Sequence, residues 1–132
     1  MGFMLSKSID LGFLDELSGE WREEVMEFLR CERREFSDEL MEEAIEHGGT
    51  EFARAVLREM AKIPYGEVRS YGELALRAGY PRAARAVGTV CRNNRYPIII
   101  PCHRVVGSNG IGGYSFGLQM KRELLRLEGV SF

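Results

Sequence analysis

Apolar residues recur at helical spacing along most of the chain. In the first third, Trp21, Val25 and Phe28 share one face of a helix predicted from about residue 18 to residue 30, with Ser18 as its N-cap. The same spacing, together with capping residues and glycine or proline stops, predicts further helices over residues 37–47, 50–62, 70–79, 81–93 and 118–127. The inward face of the last helix is expected to hold Leu118, Leu124, Leu125 and Leu127.

Two stretches have strand character instead. The first 14 residues are expected to form a strand or hairpin. Residues 98–100 are three isoleucines, and Pro101 ends ladder pairing after them because it has no N–H. A short strand is therefore expected to carry Cys102. The predicted fold class is α+β, mostly α, with a small N-terminal domain and a C-terminal helical domain that contains a winged-type helix-turn-helix.

Charge divides the chain near Gly48 and Gly49. Residues 1–50 carry a net charge of −9 and residues 51–132 a net charge of +7, although the whole chain has a net charge of only −2. The predicted boundary therefore separates a small acidic domain, residues 1–48, from a second domain, residues 49–132. An arginine-rich segment indicates an anionic partner such as nucleic acid. From charge alone, mutual attraction of the two halves is an equally good explanation.

The basic half contains two short predicted helices in sequence. Ser70 and Glu73 have the spacing of a capping box, with Ser70 as N-cap. A Gly-Tyr-Pro turn at residues 79–81 separates that helix from the next, as in a helix-turn-helix. The second helix combines arginines with small residues, a composition typical of a helix laid against DNA: Arg82, Ala83, Ala84, Arg85 and Arg92. The same geometry also serves as plain packing in many proteins.

Several function classes are disfavoured by composition. No apolar run approaches the length of a membrane span, and the start of the chain has no signal-peptide pattern. The three cysteines are widely spaced and odd in number, which indicates a reducing, cytoplasmic environment rather than a disulfide framework. Without a CxxC pair and with only two histidines, no metal site is expected. We expect no cofactor and a monomeric chain.

The chemistry is concentrated at Cys102 and His103. A cysteine after an apolar run is more often a small buried residue than a nucleophile. A nucleophilic thiol needs a base, and the base needs a group to orient it. His103 is the candidate base, although neighbouring side chains on a regular strand point to opposite faces, so contact requires a bend or a bridging water. Glu128, near the end of the last helix, is the best distant carboxylate to orient it.

About residues 52–130 resemble the O6-alkylguanine-DNA alkyltransferases, also called methylated-DNA–protein-cysteine methyltransferases. The most specific combination is Pro-Cys-His-Arg-Val at residues 101–105 after Ala-Arg-Ala-Val-Gly at residues 84–88. The remaining matching positions are residues 63–66, 70–75, 113–115, Lys121, residues 124–125 and residues 128–129. The resemblance implies repair of double-stranded DNA by transfer of an alkyl group from O6-alkylguanine, and from O4-alkylthymine, to a cysteine. Each molecule then acts once.

The resemblance also implies roles for individual residues. Cys102 is the acceptor, His103 deprotonates it through water, and Glu128 orients His103. Arg85 enters the base stack in place of the flipped guanine, while Tyr71 crowds the neighbouring phosphate and donates a proton to the leaving guanine. Extrusion of the base is required because a nucleophile cannot reach O6 inside a paired duplex. Further DNA contacts are expected from Arg82, Ala83, Ala84 and Ser70. The guanine pocket is expected to include Asn94, Pro97, Val105, Tyr114 and Ser115.

The chain departs from the family pattern in three places. The resemblance implies that Asn94 braces the turn between the second helix of the helix-turn-helix and the strand that carries Cys102. Arg95 follows Asn94 where proline is usual, which weakens the expected rigidity of that turn. Phe116 stands where a small residue is common and is expected to narrow or reshape the pocket. The acidic first 48 residues show little similarity to the usual N-terminal domain.

Three rival functions remain. A non-catalytic protein that binds alkylated DNA would lack the acceptor cysteine, which is present here as Cys102. A helix-turn-helix regulator would carry a purely structural cysteine. A cysteine hydrolase that uses Cys102 and His103 would leave the arginine-rich helices without a role.

Overall fold

Short helices packed around one apolar core account for most of the architecture. The structure is a computed structural model and describes residues 19–132. Within that range the helices are α1 (Gly19–Leu29), α2 (Asp38–Glu46), α3 (Glu51–Ala61), α4 (Tyr71–Arg77), α5 (Ala84–Arg92) and α6 (Leu118–Leu127). The predicted N-terminal strand or hairpin lies outside the described residues. The mostly helical fold class predicted from periodicity is confirmed.

Local capping chemistry explains where several helices begin. Thr50 accepts a hydrogen bond from the backbone N–H of Ala53 at the start of α3. Ser70 accepts one from the N–H of Glu73 at the start of α4, as the capping-box spacing predicts. The carboxylate of Glu73 does not complete the box, because it pairs with Arg69 and Arg77 instead. Ser37 precedes α2 in extended conformation, but its side chain makes no capping hydrogen bond.

The sheet is minimal and joins two distant segments of the basic half. Strand β1 (Arg69–Ser70) pairs in parallel with β2 (Val105–Val106), with Arg69 opposite Val105. Residues 98–100 differ from the strand prediction: Ile98 has a φ of +76°, and only a single bridge joins Pro97 and Ile100. All three isoleucines are buried, and a fully buried apolar run does not distinguish a strand from a turn. Cys102 therefore lies in a 3₁₀ turn (Cys102–Arg104) directly before β2.

The core crosses the predicted boundary at residue 48. Trp21, Val25 and Phe28 of α1 belong to the same buried cluster as Ile99 and Cys102. The division into residues 1–48 and 49–132 remains a prediction. One side of the last helix differs from expectation, because Leu118 is 39% exposed while Met120 and Lys121 are buried. Leu118 is the first residue of α6.

α4 and α5 form the helix-turn-helix unit. They are the most extensively packed pair of helices in the described chain, and the turn between them contains Gly79 at a φ of +92°. α5 begins at Ala84 rather than at Pro81, because residues 80–83 close a hydrogen-bonded turn from the Ala83 N–H to the Tyr80 carbonyl. Arg82 and Ala83 thus lie in the approach to α5, and Arg85 lies in its first turn.

Candidate alkyl-acceptor site

The thiol of Cys102 lies at the floor of an open cavity. Pro101 precedes it, and the 3₁₀ turn places its side chain at the cavity while leaving it only 4% exposed. Burial raises the pKa of the Cys102 thiol above its ordinary value, and the Asn94 amide and the Lys121 ammonium partly oppose that rise. The thiol is therefore protonated at neutral pH until a base removes its proton.

Asn94 connects α5 to the thiol. Its Nδ2 donates hydrogen bonds to the carbonyl oxygen of Ile100 (3.0 Å) and to Sγ of Cys102 (3.3 Å). Its Oδ1 accepts from the backbone N–H of Tyr96 (3.0 Å). The side chain is buried, so these hydrogen bonds fix the turn that follows α5 without competition from solvent. Asn94 thus braces the turn as well as the sulfur.

His103 and Glu128 meet as the sequence predicts. His103 Nε2 and Glu128 Oε2 are 2.6 Å apart, and both side chains are fully buried. Glu128 stands at the C-cap of α6, so the last helix delivers the carboxylate to the turn that carries the thiol. His103 Nδ1 is buried and has no hydrogen-bond partner among residues 19–132.

The protonation states follow from these contacts. Burial tends to raise the pKa of Glu128, but the hydrogen bond from His103 and the hydrogen bonds and positive charge of Arg104 outweigh it and hold the pKa at about 2. Burial lowers the pKa of His103 despite the neighbouring carboxylate. An ionised carboxylate can only accept a hydrogen bond, so Nε2 of the neutral ring carries the proton and Nδ1 carries the lone pair. Nδ1 is therefore the basic atom.

Arg104 completes the charge balance around the carboxylate. Its Nε donates to Glu128 Oε1 (2.8 Å), and its Nη2 donates to Oε2 (2.9 Å). Its Nη1 donates to the Ile63 carbonyl (2.7 Å). Because His103 is neutral, Arg104 is the cation that keeps Glu128 ionised inside the protein. Sequence reasoning did not assign this role to Arg104; the signal available was an arginine within an otherwise apolar, buried segment.

The cavity in front of the thiol has a volume of about 640 Å³. Several of the predicted site residues line it: Tyr71, Ala84, Arg85, Cys102, Tyr114 and Ser115. Its other lining residues are mostly small, namely Gly88, Thr89, Cys91, Arg92 and Gly113. Three predicted pocket residues are not among the described residues that line it, namely Asn94, Pro97 and Val105; all three are buried, and their predicted pocket role stays a prediction.

Comparisons with known proteins agree with this geometry. A family model described as the DNA-binding domain of 6-O-methylguanine DNA methyltransferase matches residues 51–130, which contain the helix-turn-helix, the thiol and Glu128. The chain belongs to this family. A methylated-DNA–protein-cysteine methyltransferase of Methanosarcina acetivorans is 52% identical over 82 residues, which cover 61% of this chain and 53% of the relative. The chain thus spans about half the length of the curated relatives it matches.

Two solved structures extend the comparison to DNA complexes. A Mycobacterium tuberculosis OGT crystallised with DNA matches with a TM-score of 0.72 and 38% identity, covering 84% of this chain and 65% of that one. Schizosaccharomyces pombe Atl1, crystallised with damaged DNA containing O6-carboxymethylguanine, matches with a TM-score of 0.57 and 38% identity. That match covers 61% of this chain and 78% of Atl1. Both structural matches extend well beyond the segment around Cys102.

Tyr71 and the glycine-rich loop, residues 107–113, form one wall of the cavity in front of Cys102. The Tyr71 hydroxyl accepts a hydrogen bond from the Gly113 N–H (3.2 Å), and burial raises its pKa, so its own proton remains in place. Gly112 has a φ of +75°, and a Cβ there would stand 2.9 Å from the Tyr71 oxygen. Only glycine fits this position, because both the backbone conformation and the close approach exclude a side chain.

Lys121 fixes the loop from behind, a role that sequence reasoning missed. Its Nζ donates to the Val105 carbonyl (2.6 Å) and to the Gly113 carbonyl (2.8 Å), which ties β2 to the cavity wall. Burial lowers the pKa of Lys121 to about 8. The available signal was a lysine three residues before the buried pair Leu124 and Leu125 on the same helix.

Residues at the rim are exposed. Arg82 and Arg85 are solvent-exposed, and Arg85 pairs with no carboxylate of the described residues. Ser115 is also exposed and donates to the Arg92 carbonyl (3.0 Å). The Tyr114 hydroxyl is buried and lies near the Cys102 sulfur. Burial, and to a lesser extent this sulfur, raise the pKa of Tyr114, but the hydroxyl makes no hydrogen bond to a described residue. Phe116 packs against Tyr114 with ring centroids 5.6 Å apart and does not line the cavity.

Metal and membrane sites are not indicated within residues 19–132. No group of three or more histidine, cysteine or acidic side chains in that range is placed to hold a metal ion. No helix in the same range has the length and apolarity needed to cross a membrane.

Proposed function

We propose that the chain repairs double-stranded DNA by moving the alkyl group of O6-alkylguanine, and of O4-alkylthymine, to Cys102. The observation that carries the proposal is the buried, hydrogen-bonded pair of His103 and Glu128, in which His103 directly follows Cys102 in the sequence. The thiol of Cys102 lines a cavity between α5 and the glycine-rich loop. The family membership and the DNA complexes of the two structural relatives support DNA as the partner.

The first chemical step is removal of the thiol proton. His103 Nδ1 carries the lone pair, and we assign it the proton of Cys102 through one bridging water. The imidazolium that forms is stabilised by Glu128, whose carboxylate is already ionised. Arg104 prevents that carboxylate from taking the proton itself. Because burial raises the pKa of the Cys102 thiol, the thiolate forms only when His103 takes its proton.

The second step is displacement at the alkyl carbon. The sulfur forms a new S–C bond while the C–O6 bond breaks, and the guanine oxygen takes the electron pair. Tyr71 supplies a proton to the leaving guanine, consistent with a hydroxyl that accepts from Gly113 and retains its own hydrogen. The phenolate then takes a proton from solvent, and the His103 imidazolium releases to solvent the proton that it took from the thiol. The thioether product leaves no thiol for a second cycle, so one chain repairs one lesion.

DNA engagement is assigned to the exposed side of the helix-turn-helix. Arg82, Ala83 and Ala84 lie at the start of α5, where small residues permit close approach and arginine supplies charge. Ser70 caps the neighbouring helix at the same surface. Arg85 lies on the cavity rim, beside the space that a flipped guanine would enter, and fills the gap in the base stack.

The direct test is the intact mass of the protein after incubation with a duplex containing O6-methylguanine. We expect the mass of one methyl group to be gained per chain, with no gain in Cys102→Ala. An unchanged mass with tight binding to the damaged duplex would instead support the non-catalytic alternative; the complex of Atl1 with damaged DNA gives binding to such DNA a specific basis. Loss of methyl from DNA with sustained turnover would contradict a single-use acceptor.

A further inference from the structure

One aromatic ring of the turn that delivers Cys102 is held from outside by two further rings. We define the acceptor turn as residues 94–102. The ring of Tyr96 in this turn stacks on Trp21 of α1, with centroids 4.5 Å apart and planes 29° apart. It also contacts His47, the C-cap residue of α2, at 5.0 Å. Both partners belong to the acidic segment, to which the proposed chemistry assigns no task.

The acceptor turn needs such support because its backbone is strained. Ile98 is β-branched, fully buried and at a φ of +76°. A β-branched residue in the left-handed region is unfavourable by about 1–3 kcal/mol and persists only where its surroundings fix it. The strained residue lies four positions before the acceptor sulfur, so relaxation there would move Cys102.

Tyr96 couples the aromatic contact to the backbone of the turn. Its N–H donates to Asn94 Oδ1 (3.0 Å), and its carbonyl accepts from the Ile100 N–H (2.9 Å). Asn94 in turn donates to the acceptor sulfur. A ring held at Tyr96 therefore fixes both of its peptide groups and, through them, the position of Asn94 and Cys102.

Helix α1 also reaches the other half of the site. Phe28 lies two helical turns after Trp21 on the same face. Its ring packs edge-to-face with the His103 ring, with ring centroids 6.3 Å apart. One face of α1 thus contacts both the acceptor turn and the base. The contacts at Tyr96 are the ones that can be changed without touching the catalytic groups.

We propose that Trp21, His47 and Tyr96 form an aromatic clamp that positions Cys102 for alkyl transfer. The three are positioning residues, since none of them lines the cavity that contains the sulfur. The acidic segment therefore contributes to the reaction geometry although it carries none of the reacting groups. The kinetic readout of this proposal rests on the proposed alkyl transfer; its structural readout does not.

The test compares Tyr96→Leu with Tyr96→Phe, which keeps the ring, and with His47→Ala, an exposed position that is safe for folding. Phe36→Leu is the matched control, because it removes a half-buried ring that stacks on Phe28 at 5.7 Å and leaves Tyr96 untouched. Two quantities are measured for each variant: the transfer rate at saturating methylated duplex, with the Kd for DNA, and amide hydrogen exchange at Ile100.

We expect Tyr96→Leu to slow transfer and to accelerate Ile100 exchange by about tenfold each, the loss expected for one aromatic contact, with an unchanged Kd. His47→Ala is expected to show a smaller loss in the same direction, and Tyr96→Phe and Phe36→Leu to remain near wild type. Equal behaviour of Tyr96→Leu and Phe36→Leu would overturn the clamp, as would a Kd that weakens as much as the rate falls. If the wild-type chain transfers no alkyl group, the proposed function fails, and the exchange data still decide the clamp.

Discussion

The two sides of Cys102 are built on opposite principles. Behind the sulfur, His103, Arg104 and Glu128 are buried and joined by hydrogen bonds of 2.6–3.1 Å. In front of it, Arg85 and Tyr71 border an open cavity, and the arginine pairs with no carboxylate of residues 19–132. The charged groups on the inner side are paired with one another, whereas Arg85 on the outer side is exposed and can pair with a bound anion.

Burial therefore separates the groups proposed for the chemistry from the groups proposed for DNA recognition. Groups that must keep a defined protonation state are removed from water and paired, so their loss also affects the free energy of unfolding. Groups that meet a polyanion remain in water and contribute little to folding. Stability and DNA affinity should therefore respond to different substitutions.

The largest contrast is expected between two arginines. Arg104→Met leaves the Glu128 carboxylate buried without its cation, so the free energy of unfolding should fall by about 3–5 kcal/mol. Arg85→Met changes an exposed side chain and should alter it by no more than about 0.5 kcal/mol. Urea unfolding of the two variants measures both values. Similar losses for both would show that the two sides do not differ as described.

The second effect is acid sensitivity. The pKa of Glu128 falls from 4.5 in the unfolded chain to about 2 in the folded one, so the stability it contributes is complete above pH 4.5 and is lost as the pH falls toward 2. The expected loss is roughly 3 kcal/mol. His103, with its lowered folded pKa, adds a loss of the same sign below pH 6.5.

Unfolding free energies between pH 7 and pH 2 test the acid sensitivity, with Glu128→Gln as the control. The amide cannot titrate, so its curve should be flatter across the acidic range, although its stability at pH 7 is lower. Parallel curves for the two proteins would contradict the role given to the carboxylate.

The cavity wall offers a comparison within a single loop. Gly112→Ala places a Cβ 2.9 Å from the Tyr71 oxygen at a φ of +75° and should lower the free energy of unfolding by about 1–3 kcal/mol. Gly113→Ala adds a methyl group with no atom within 4 Å and should change it by less than about 0.5 kcal/mol. Thermal unfolding of both variants decides; an equal cost at the two positions would contradict the described wall.

Substitution of Arg85 is expected to change the free energy of unfolding least, but to slow alkyl transfer from duplex DNA specifically. Arg85→Ala should slow transfer from a methylated duplex more than transfer from free O6-benzylguanine, because only the duplex requires a residue to fill the stack. DNA affinity of the wild type should fall with added salt, with a steeper slope than in Arg85→Ala. Equal losses on both substrates would remove the intercalating role from Arg85.

Local chemistry explains which parts of the structure could be predicted. The caps at Thr50 and Ser70 depend on residues three positions away, so the sequence alone was sufficient for them. The pairing of Glu128 with His103 was reached by elimination, since few carboxylates occur in the basic half.

Other features depend on packing between distant segments. The left-handed conformation of Ile98, the 3₁₀ turn at Cys102 and the burial of Lys121 arise where several elements meet, and no local pattern specifies them. Arg104 and Lys121 were overlooked because charged residues are normally assigned to the surface. Leu118 was assigned to the core by the same kind of rule and lies exposed instead.

The position at which the alkyl group arrives distinguishes Cys102 from the second cysteine of the cavity. Cys91 lines the same cavity as Cys102, but burial raises its pKa to about 12, and none of the contacts found for the described residues connects it to the base. After reaction with one equivalent of methylated duplex, peptide mapping by mass spectrometry should find the methyl group on Cys102 alone, in both the wild type and Cys91→Ser. A methyl group on Cys91, or full repair by Cys102→Ser, would contradict the central claim.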